Sequence, residues 1–280
     1  MSDPQPATAE YSALQFVSPA IAYQPRNFSP GSESSPSSRK QIVEELHTLH
    51  THGFQSLVTY SSRGVLGDIP AIARKEGFSG TVIMGIWDIF SEDEWEHALS
   101  QQAFVNGYCL GNEGLGIRYT PDELAEKMAK LKEATGKPVS TTEPIDRYLQ
   151  GPYQEWLLTH SDWLFPLAQP FWAAQFEPQR AVDWIVVRSD YLESISGRNV
   201  ILKEVGFPTA LSRGQTEDDQ LAFFQALQPT GLTYFYFEAF DQPWKHHVFR
   251  EPEFEAHWGL HRADGTPKKV MNWLAARWAR

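Results

Sequence analysis

Residues 104–115, FVNGYCLGNEGL, decide the predicted fold of this 280-residue chain. The first half of the stretch is apolar and predicts a short buried strand, and the segment Gly111-Asn112-Glu113-Gly114 places a carboxylate where that strand ends. A Glu at a strand end is held by a rigid element yet open to a cleft, which is where general acids lie in eight-stranded α/β barrels. The alternative is a loop Glu that faces solvent, and this stretch alone does not separate the two.

A second stretch has the same form. Residues 199–209, NVILKEVGFPT, predict a strand that ends at Glu204 and is followed by Gly206 and Pro208. Two strand-terminal carboxylates in one chain indicate a two-carboxylate site, the equipment of glycoside hydrolysis. Strict alternation along this strand predicts that Lys203 points to the opposite side from Glu204, as a residue of the outer face.

The composition argues against several partners and sites. A net charge of −11 and a pI near 5.3 argue against nucleic acid or an anionic membrane. The single Cys109 excludes an internal disulfide, and its place in an apolar strand predicts a buried, inert thiol. A membrane span needs about 18 consecutive apolar residues, and no apolar run in this sequence approaches that length. The first residues, MSDPQPATAEYSA, do not form a signal peptide, so we expect a cytoplasmic protein or a domain excised from a longer chain.

Strand-like and helix-like segments alternate about eight times after an extended lead-in over residues 1–19. This alternation predicts one domain over residues 20–280, an α/β protein with the fold of a closed (β/α)8 TIM barrel. The rival, a doubly wound open sheet, would need a G-x-G-x-x-G phosphate loop, and none is present. The predicted strands are 20–23, 54–60, 81–87, 104–113, 138–142, 163–171, 200–204 and 232–240. In such a barrel the ends of the fourth and seventh strands face the same mouth.

Four motifs resemble those of known glycosidases. Gly111-Asn112-Glu113 resembles the end of strand 4 in clan A, where Asn precedes the acid/base Glu. Residues 204–209, EVGFPT, resemble the nucleophile motif of glycoside hydrolase family 17. Residues 237–245, FEAFDQPWK, resemble the strand-8 motif of that family's bacterial branch, except that Gln242 stands where an acidic residue is expected. Residues 257–260, HWGL, resemble the loop that follows it.

The resemblance implies a retaining β-1,3-glucan transglycosylase, a glucanosyltransferase that forms a covalent glycosyl-enzyme. It makes Glu113 the acid/base, Glu204 the nucleophile and Asn112 the hydrogen-bond donor to the sugar 2-hydroxyl. It also implies a bacterial, periplasmic domain of the kind attached to membrane glucan synthases. We expect a monomer with no cofactor and no metal. A β-1,3-glucan hydrolase, endo- or exo-acting, and a barrel that binds β-glucan without cleaving it are the alternatives; a barrel for small phosphorylated substrates is a weaker one.

Further side chains at predicted strand ends and loops are candidates for binding sugar. Each has a structural alternative: core filling for Tyr60, packing at the rim for the tryptophans, and a mutual ion pair for Glu238 with Lys245. Trp87 and Asp88 are weaker candidates of the same kind. No carboxylate stands at ligand spacing from the histidines at 47, 50 and 52. We therefore interpret them as side chains of a solvated helix end and not as a metal site. The substrate-binding candidates are Tyr60, Asn112, Phe171, Trp172, Glu238, Trp244 and Lys245.

Overall fold

The computed structural model describes residues 14, 16–30, 36–209 and 214–278, so most of the predicted lead-in lies outside the described residues. Within them, seven parallel strands form one curled sheet in the order β5-β4-β3-β2-β1-β7-β6. The strands are β1 Ala20–Ala22, β2 Ser56–Val58, β3 Val82–Ile86, β4 Gly107–Leu110, β5 Val139–Ser140, β6 Ile201–Val205 and β7 Thr233–Tyr236. They fall inside the predicted segments, apart from the last residue of β6, and most are shorter than predicted.

Helices connect the strands, as the predicted alternation requires. Ten α-helices are described, with short 3₁₀ turns at Gly64–Asp68, Pro170–Ala173, Gln228–Thr230 and Glu253–Ala256. The α-helices are α1 Pro36–Thr51, α2 Ile69–Lys75, α3 Glu92–Ser100, α4 Pro121–Thr135, α5 Ile145–Leu149, α6 Gln154–His160, α7 Pro178–Ser196, α8 Glu217–Leu227, α9 Trp244–His247 and α10 Lys269–Trp278. None of the described helices is long and apolar enough to cross a membrane.

Helix α4 shows how local sequence fixes the boundaries of these connections. The Thr120 side chain accepts a hydrogen bond from the backbone N–H of Glu123, and the Glu123 carboxylate accepts one from the Thr120 backbone N–H over 2.8 Å. Pro121 occupies the first turn, where no N–H is needed, and Gly136 ends the helix at φ 64°. The capping box and the glycine stop show that the residues at each end of α4 set its boundaries.

The predicted strand 163–171 is not continuous in the structure. Only isolated parallel bridges occur there, from Leu164 to Val200 and from Leu167 to both Pro144 and Glu204. Prolines at 166 and 170 remove two backbone donors, and residues from 170 onward turn into a 3₁₀ helix. The segment nonetheless lies between β5 and β6, because it shares bridges with residues next to both.

Strand β6 contains an irregularity in its pairing with β7. Leu202 pairs with Tyr234 and Val205 with Tyr236, so three steps along β6 match two steps along β7. The extra residue breaks strict alternation, as β-bulges do. Lys203 is only 1% exposed, and its ammonium lies beside the carboxylate of Glu204. The prediction of an outer-face Lys203 is therefore wrong, because it assumed a regular strand.

Candidate functional site

The site forms where β4, β6 and β7 end at the same edge of the sheet. Asn112 and Glu113 directly follow the turn after β4, Glu204 is the fourth residue of β6, and Glu238 follows β7 by two residues. Parallel strands bring their carboxyl ends to one side, so the carboxylates that the sequence placed at strand ends meet there. Electrostatic coupling between Glu113 and Glu204, and between Glu204 and Glu238, follows from this arrangement.

The turn that carries Glu113 is tightly built. Glu113 has φ 51° and Gly111 has φ 76°, both in the left-handed region, which a Glu adopts only when its surroundings hold it there. The ring of Tyr119 packs against this turn: a Cβ at Gly111 would lie 2.1 Å from its hydroxyl oxygen, and one at Gly114 would lie 2.5 Å from its ring. A side chain at either glycine would displace Tyr119 and with it the loop that presents Glu113.

Glu113 combines access to solvent with an unusual affinity for its proton. Its side chain is exposed to solvent. The pKa of Glu113 is nonetheless raised to about 7, first by desolvation of its carboxyl by the surrounding protein and second by the negative charge of Glu204, while the charge of Lys203 lowers it. A carboxyl group that keeps a proton near neutral pH and can reach a ligand is suited to general acid catalysis.

Glu204 has the opposite surroundings. It is 3% exposed, and its Oε2 accepts a hydrogen bond from Nε2 of Gln169 over 2.5 Å. Its Oε1 lies 3.6 Å from the ammonium of Lys203. Glu204 thus has a hydrogen-bond donor on one oxygen and a cation beside the other. Neither Gln169 nor Lys203 was predicted, and no local sequence signal distinguishes them from ordinary strand and loop residues.

Asn112 lies between the two carboxylates and contacts both halves of the site. Its Oδ1 accepts a hydrogen bond from the ammonium of Lys203, and its Nδ2 lies 3.4 Å from Oε1 of Glu113. Its backbone carbonyl accepts from the guanidinium of Arg118. This side chain is 6% exposed, so it has one defined orientation at the edge of the site.

A third charged group lies at the end of β7. The ammonium of Lys245 donates to Oε1 of Glu238 over 2.6 Å and lies 3.9 Å from Oε2 of Glu255. Burial raises the pKa of Glu238 to about 8, against the lowering effect of Lys245. The structure thus contains the mutual ion pair of Glu238 and Lys245, the alternative to sugar binding.

The predicted aromatic candidates are distributed between the site surface and the packing behind it. Trp172 is 53% exposed, and its indole nitrogen donates to Oε1 of Glu255 over 2.8 Å. Trp244 is half-buried, with its ring edge-to-face against Phe28. Phe171 is 2% exposed and packs in a cluster of aromatic rings, so it supports Trp172 from below rather than presenting a face.

Tyr60 lies beside Lys203 and near the carboxylates of Glu204 and Glu238. The ammonium of Lys203 is 4.5 Å from the centroid of its ring, and the ring packs edge-to-face with Phe237. Burial, followed by the charges of Glu204 and Glu238, raises the pKa of Tyr60 well above its ordinary value. The side chain therefore stays protonated and both fills space and faces the carboxylates.

The loop after β5 holds a carboxylate that the sequence did not single out. Glu143 is fully buried, accepts from the backbone N–H of Leu115 over 2.8 Å and pairs with Arg147. Through Leu115 it braces the loop that follows Glu113, and its charge adds to the raised pKa of Glu113. In the sequence Glu143 is followed by Pro144, a pattern typical of an ordinary turn.

Gln242, the one departure from the family motif, has a structural explanation. Its Nε2 donates to the backbone carbonyls of Gln24 and Pro25, at 3.1 and 3.3 Å, and its Oε1 accepts from the indole of Trp244. A carboxylate could accept the indole hydrogen bond but could not donate to the two carbonyls.

The histidines form no metal site in the described residues. Among those residues no three side chains of His, Cys, Asp or Glu are grouped to hold a metal ion. His47 lies 3.2 Å from Glu76, His50 packs on Phe78, and His52 stacks on His261.

Comparisons with known proteins agree with this geometry. Residues 20–259 match the model of the BtgE/BtgC glycoside hydrolase domain. A glucan 1,3-beta-glucosidase of Arthroderma benhamiae is 26% identical over 287 residues, which covers 90% of this chain and 92% of that protein.

Two solved structures share the fold. One is a glycoside hydrolase family 17 β-1,3-glucanosyltransferase from Rhizomucor miehei, with a TM-score of 0.70, 20% identity, and coverage of 89% of this chain and 95% of that one. The other is an endo-laminarinase from Formosa Hel1_33_131, with a TM-score of 0.71, 19% identity, and coverage of 92% and 86%.

Proposed function

Because the chain belongs to the BtgE/BtgC glycoside hydrolase family, we propose that it is a retaining β-1,3-glucanosyltransferase with two catalytic Glu residues. Glu113 is the acid/base and Glu204 the nucleophile. The observation that carries this assignment is the contrast between the two carboxylates. The pKa of Glu113 is raised to about 7 at an accessible position, whereas Glu204 is enclosed, accepts a hydrogen bond from Gln169 and lies beside an ammonium. Such a division of environments is how one site assigns acid and nucleophile.

The reaction proceeds in two displacements. In the first, the Glu204 carboxylate attacks the anomeric carbon while Glu113 gives its proton to the departing glycosidic oxygen, which leaves a glycosyl ester on Glu204. In the second, Glu113 as carboxylate takes a proton from a sugar hydroxyl, whose oxygen attacks the anomeric carbon and releases Glu204. Water in place of the sugar acceptor gives hydrolysis instead.

The substrate assignment rests on the relatives. The Arthroderma benhamiae protein is named a glucan 1,3-beta-glucosidase, and the Rhizomucor miehei structure is named a β-1,3-glucanosyltransferase. We extend that substrate class to this chain. Transfer is favoured over hydrolysis because Trp172 presents a fixed exposed ring on which an acceptor sugar can stack. A β-1,3-glucan hydrolase is the second candidate, since the Arthroderma benhamiae relative is named a glucosidase.

Other parts of the proposal concern the whole protein. Residues 164–167, which share bridges with residues next to β5 and β6, supply an eighth strand that closes the barrel.

Motif resemblance supports a bacterial, extracytoplasmic domain of a membrane glucan synthase, and in isolation this domain would be a monomer. The competing reading of a binding barrel without activity gives no reason for the raised pKa of an accessible Glu113.

A product time course tests the function. The purified protein is incubated with a mid-length β-1,3-glucan oligosaccharide at millimolar concentration, and products are separated by mass. Oligosaccharides longer than the starting material, appearing before it is exhausted, are expected from a transferase. Only shorter products at every concentration would establish the hydrolase, and an unchanged oligosaccharide would establish the binding barrel.

A further inference from the structure

Lys203 is a buried cation that the two-carboxylate mechanism does not use. A regular β6 would point it to the outer face, but the pairing irregularity between Leu202 and Val205 turns it toward the site. There it is 1% exposed. Burying an ammonium costs free energy unless charged and hydrogen-bonding partners offset the lost hydration. Its partners therefore indicate what this position does.

The ammonium of Lys203 contacts one group from each neighbouring element. It donates to Oδ1 of Asn112 after β4, lies 3.6 Å from Oε1 of Glu204 on its own strand, and lies 4.5 Å from the ring centroid of Tyr60 after β2. Its charge also acts on Cys109 and Glu113, lowering the pKa of each against burial. In the described residues, the titratable groups that Lys203 contacts or acts on are Tyr60, Cys109, Glu113 and Glu204. Glu204 is in addition coupled to Glu238, Lys245 and Glu255.

The contact with Asn112 determines which way its amide faces. An ammonium has three donors and no acceptor, so it must meet the amide oxygen and not the amide nitrogen. The Nδ2 group is thereby turned toward Glu113, 3.4 Å from Oε1. That is the side on which the sugar would bind in the proposed reaction.

We propose that Lys203 is a positioning residue for both catalytic carboxylates, which keeps Glu204 ionised by its charge and fixes the Asn112 amide with its nitrogen toward the sugar. This inference rests on the proposed function. A cation next to a carboxylate favours the ionised form, and only that form of Glu204 can attack the anomeric carbon. The bulge in β6 thus places nucleophile and cation together on one strand.

The pH profile of activity tests whether Lys203 keeps Glu204 ionised. Lys203→Met and Lys203→Gln remove the charge, and Lys203→Arg retains it. With a β-1,3-glucan oligosaccharide as substrate, the acid-side midpoint of kcat/KM is expected to move up by about 1–3 pH units in the neutral variants. Lys203→Arg restores the midpoint. Lys268→Met, which removes another buried ammonium that is paired with Asp241, leaves the midpoint in place. An unmoved midpoint in a folded neutral variant overturns the inference.

The unmodified enzyme supplies a measurement that needs no neutral variant to fold. An activated 2-deoxy-2-fluoro glucoside esterifies Glu204 at a rate that follows the ionised fraction of the nucleophile. If Lys203 holds that ionisation, trapping persists below a pH of about 4.3, the ordinary midpoint of a Glu. A trapping rate already half lost at that pH contradicts the proposal.

A double variant tests whether Lys203 also acts through Asn112. Asn112→Ala and Lys203→Met are each expected to lower kcat/KM by about tenfold or more, and the double variant to lose little beyond the worse single one, because both act through one contact. If the kcat/KM losses of the two single variants multiply in the double variant, Lys203 does not act through Asn112. Failure of the proposed function has a different signature, since it would leave the wild type inactive on the oligosaccharide or Glu204→Gln active.

Discussion

The indole nitrogen of Trp172 donates a hydrogen bond to Oε1 of Glu255 over 2.8 Å, although 53% of the Trp172 surface is exposed. Phe254 packs edge-to-face beneath the same ring at 5.1 Å. An exposed aromatic ring held at two points loses little conformational entropy when a sugar stacks on it. In the proposed function, Trp172 is therefore the candidate whose ring is best held in place to stack on a sugar.

Trp172→Ala should therefore lower the share of products longer than the substrate more than it lowers total turnover, by about threefold or more, because the acceptor loses its stacking surface. Tyr191→Ala is the matched control: it removes an aromatic ring of equal 53% exposure on α7. Chromatography of products at equal conversion measures the ratio. A ratio unchanged in Trp172→Ala would remove this residue from acceptor binding.

Glu113→Gln and Glu204→Gln should each lower kcat by at least about 10³-fold, because one removes the proton donor and the other the nucleophile. Glu133→Gln, which changes an exposed Glu of α4, should keep wild-type turnover. Circular dichroism of all three variants checks that the fold is intact. Near-normal turnover in either catalytic variant contradicts the assignment of that residue.

The product should retain the β configuration. In a retaining site the two carboxyl groups lie about 5–5.5 Å apart, too close for a water between them and the sugar. Proton NMR recorded in the first minutes of reaction distinguishes the anomers before mutarotation mixes them. An α product appearing first would point to inversion and a wider separation of Glu113 and Glu204.

Activity should fall on the alkaline side with a midpoint near pH 7, the pKa of Glu113. The sign follows from its role: kcat/KM needs the protonated form, which is lost as the pH rises through that pKa. The negative charge of Glu204 is the second cause of the raised pKa, after burial. Carboxyl-carbon NMR of Glu113 should accordingly show a lower pKa in the Glu204→Gln variant. An increase or no change would mean that the two carboxylates are not coupled.

Lys268→Met should cost about 3–5 kcal/mol of unfolding free energy, since it removes the ammonium from the buried carboxylate of Asp241. The Lys268 ammonium donates to Asp241 over 2.7 Å and to the hydroxyl of Thr209 over 2.9 Å, which ties the loop after β6 to the loop after β7. Lys269→Met, which breaks the exposed pair with Asp218, should cost about 0–1 kcal/mol. Urea unfolding of both variants gives the comparison, and equal losses would contradict it.

The parts of the site that the sequence could predict are those written in local pattern. Glu113 and Glu204 follow apolar runs and precede glycines, and the strand ends place both at one edge of the sheet. The start of α4 is likewise written in local sequence, because the two residues of its capping box, Thr120 and Glu123, are only three positions apart.

What could not be predicted depends on partners far along the chain. Lys203 turned inward because β6 gains a residue relative to β7, and register between strands is not encoded in either strand alone. Gln169 reaches Glu204 from a segment that the prolines keep from forming a regular strand. Glu143 acquired its role from Leu115 and Arg147, neither of which marks it in the sequence.

The order of strands in the sheet also sets when the site can exist. β1 lies between β2 and β7, and Ile21 pairs with Tyr236 across most of the chain. During synthesis from the N-terminus, β1 to β5 can associate as they emerge and residues 164–167 can then bridge to β6, but β1 gains its second neighbour only when β7 is made. Glu238, which follows β7, is therefore the last of the site carboxylates at the strand ends to be made, and the candidate site is incomplete until the closing strand of the described sheet has formed.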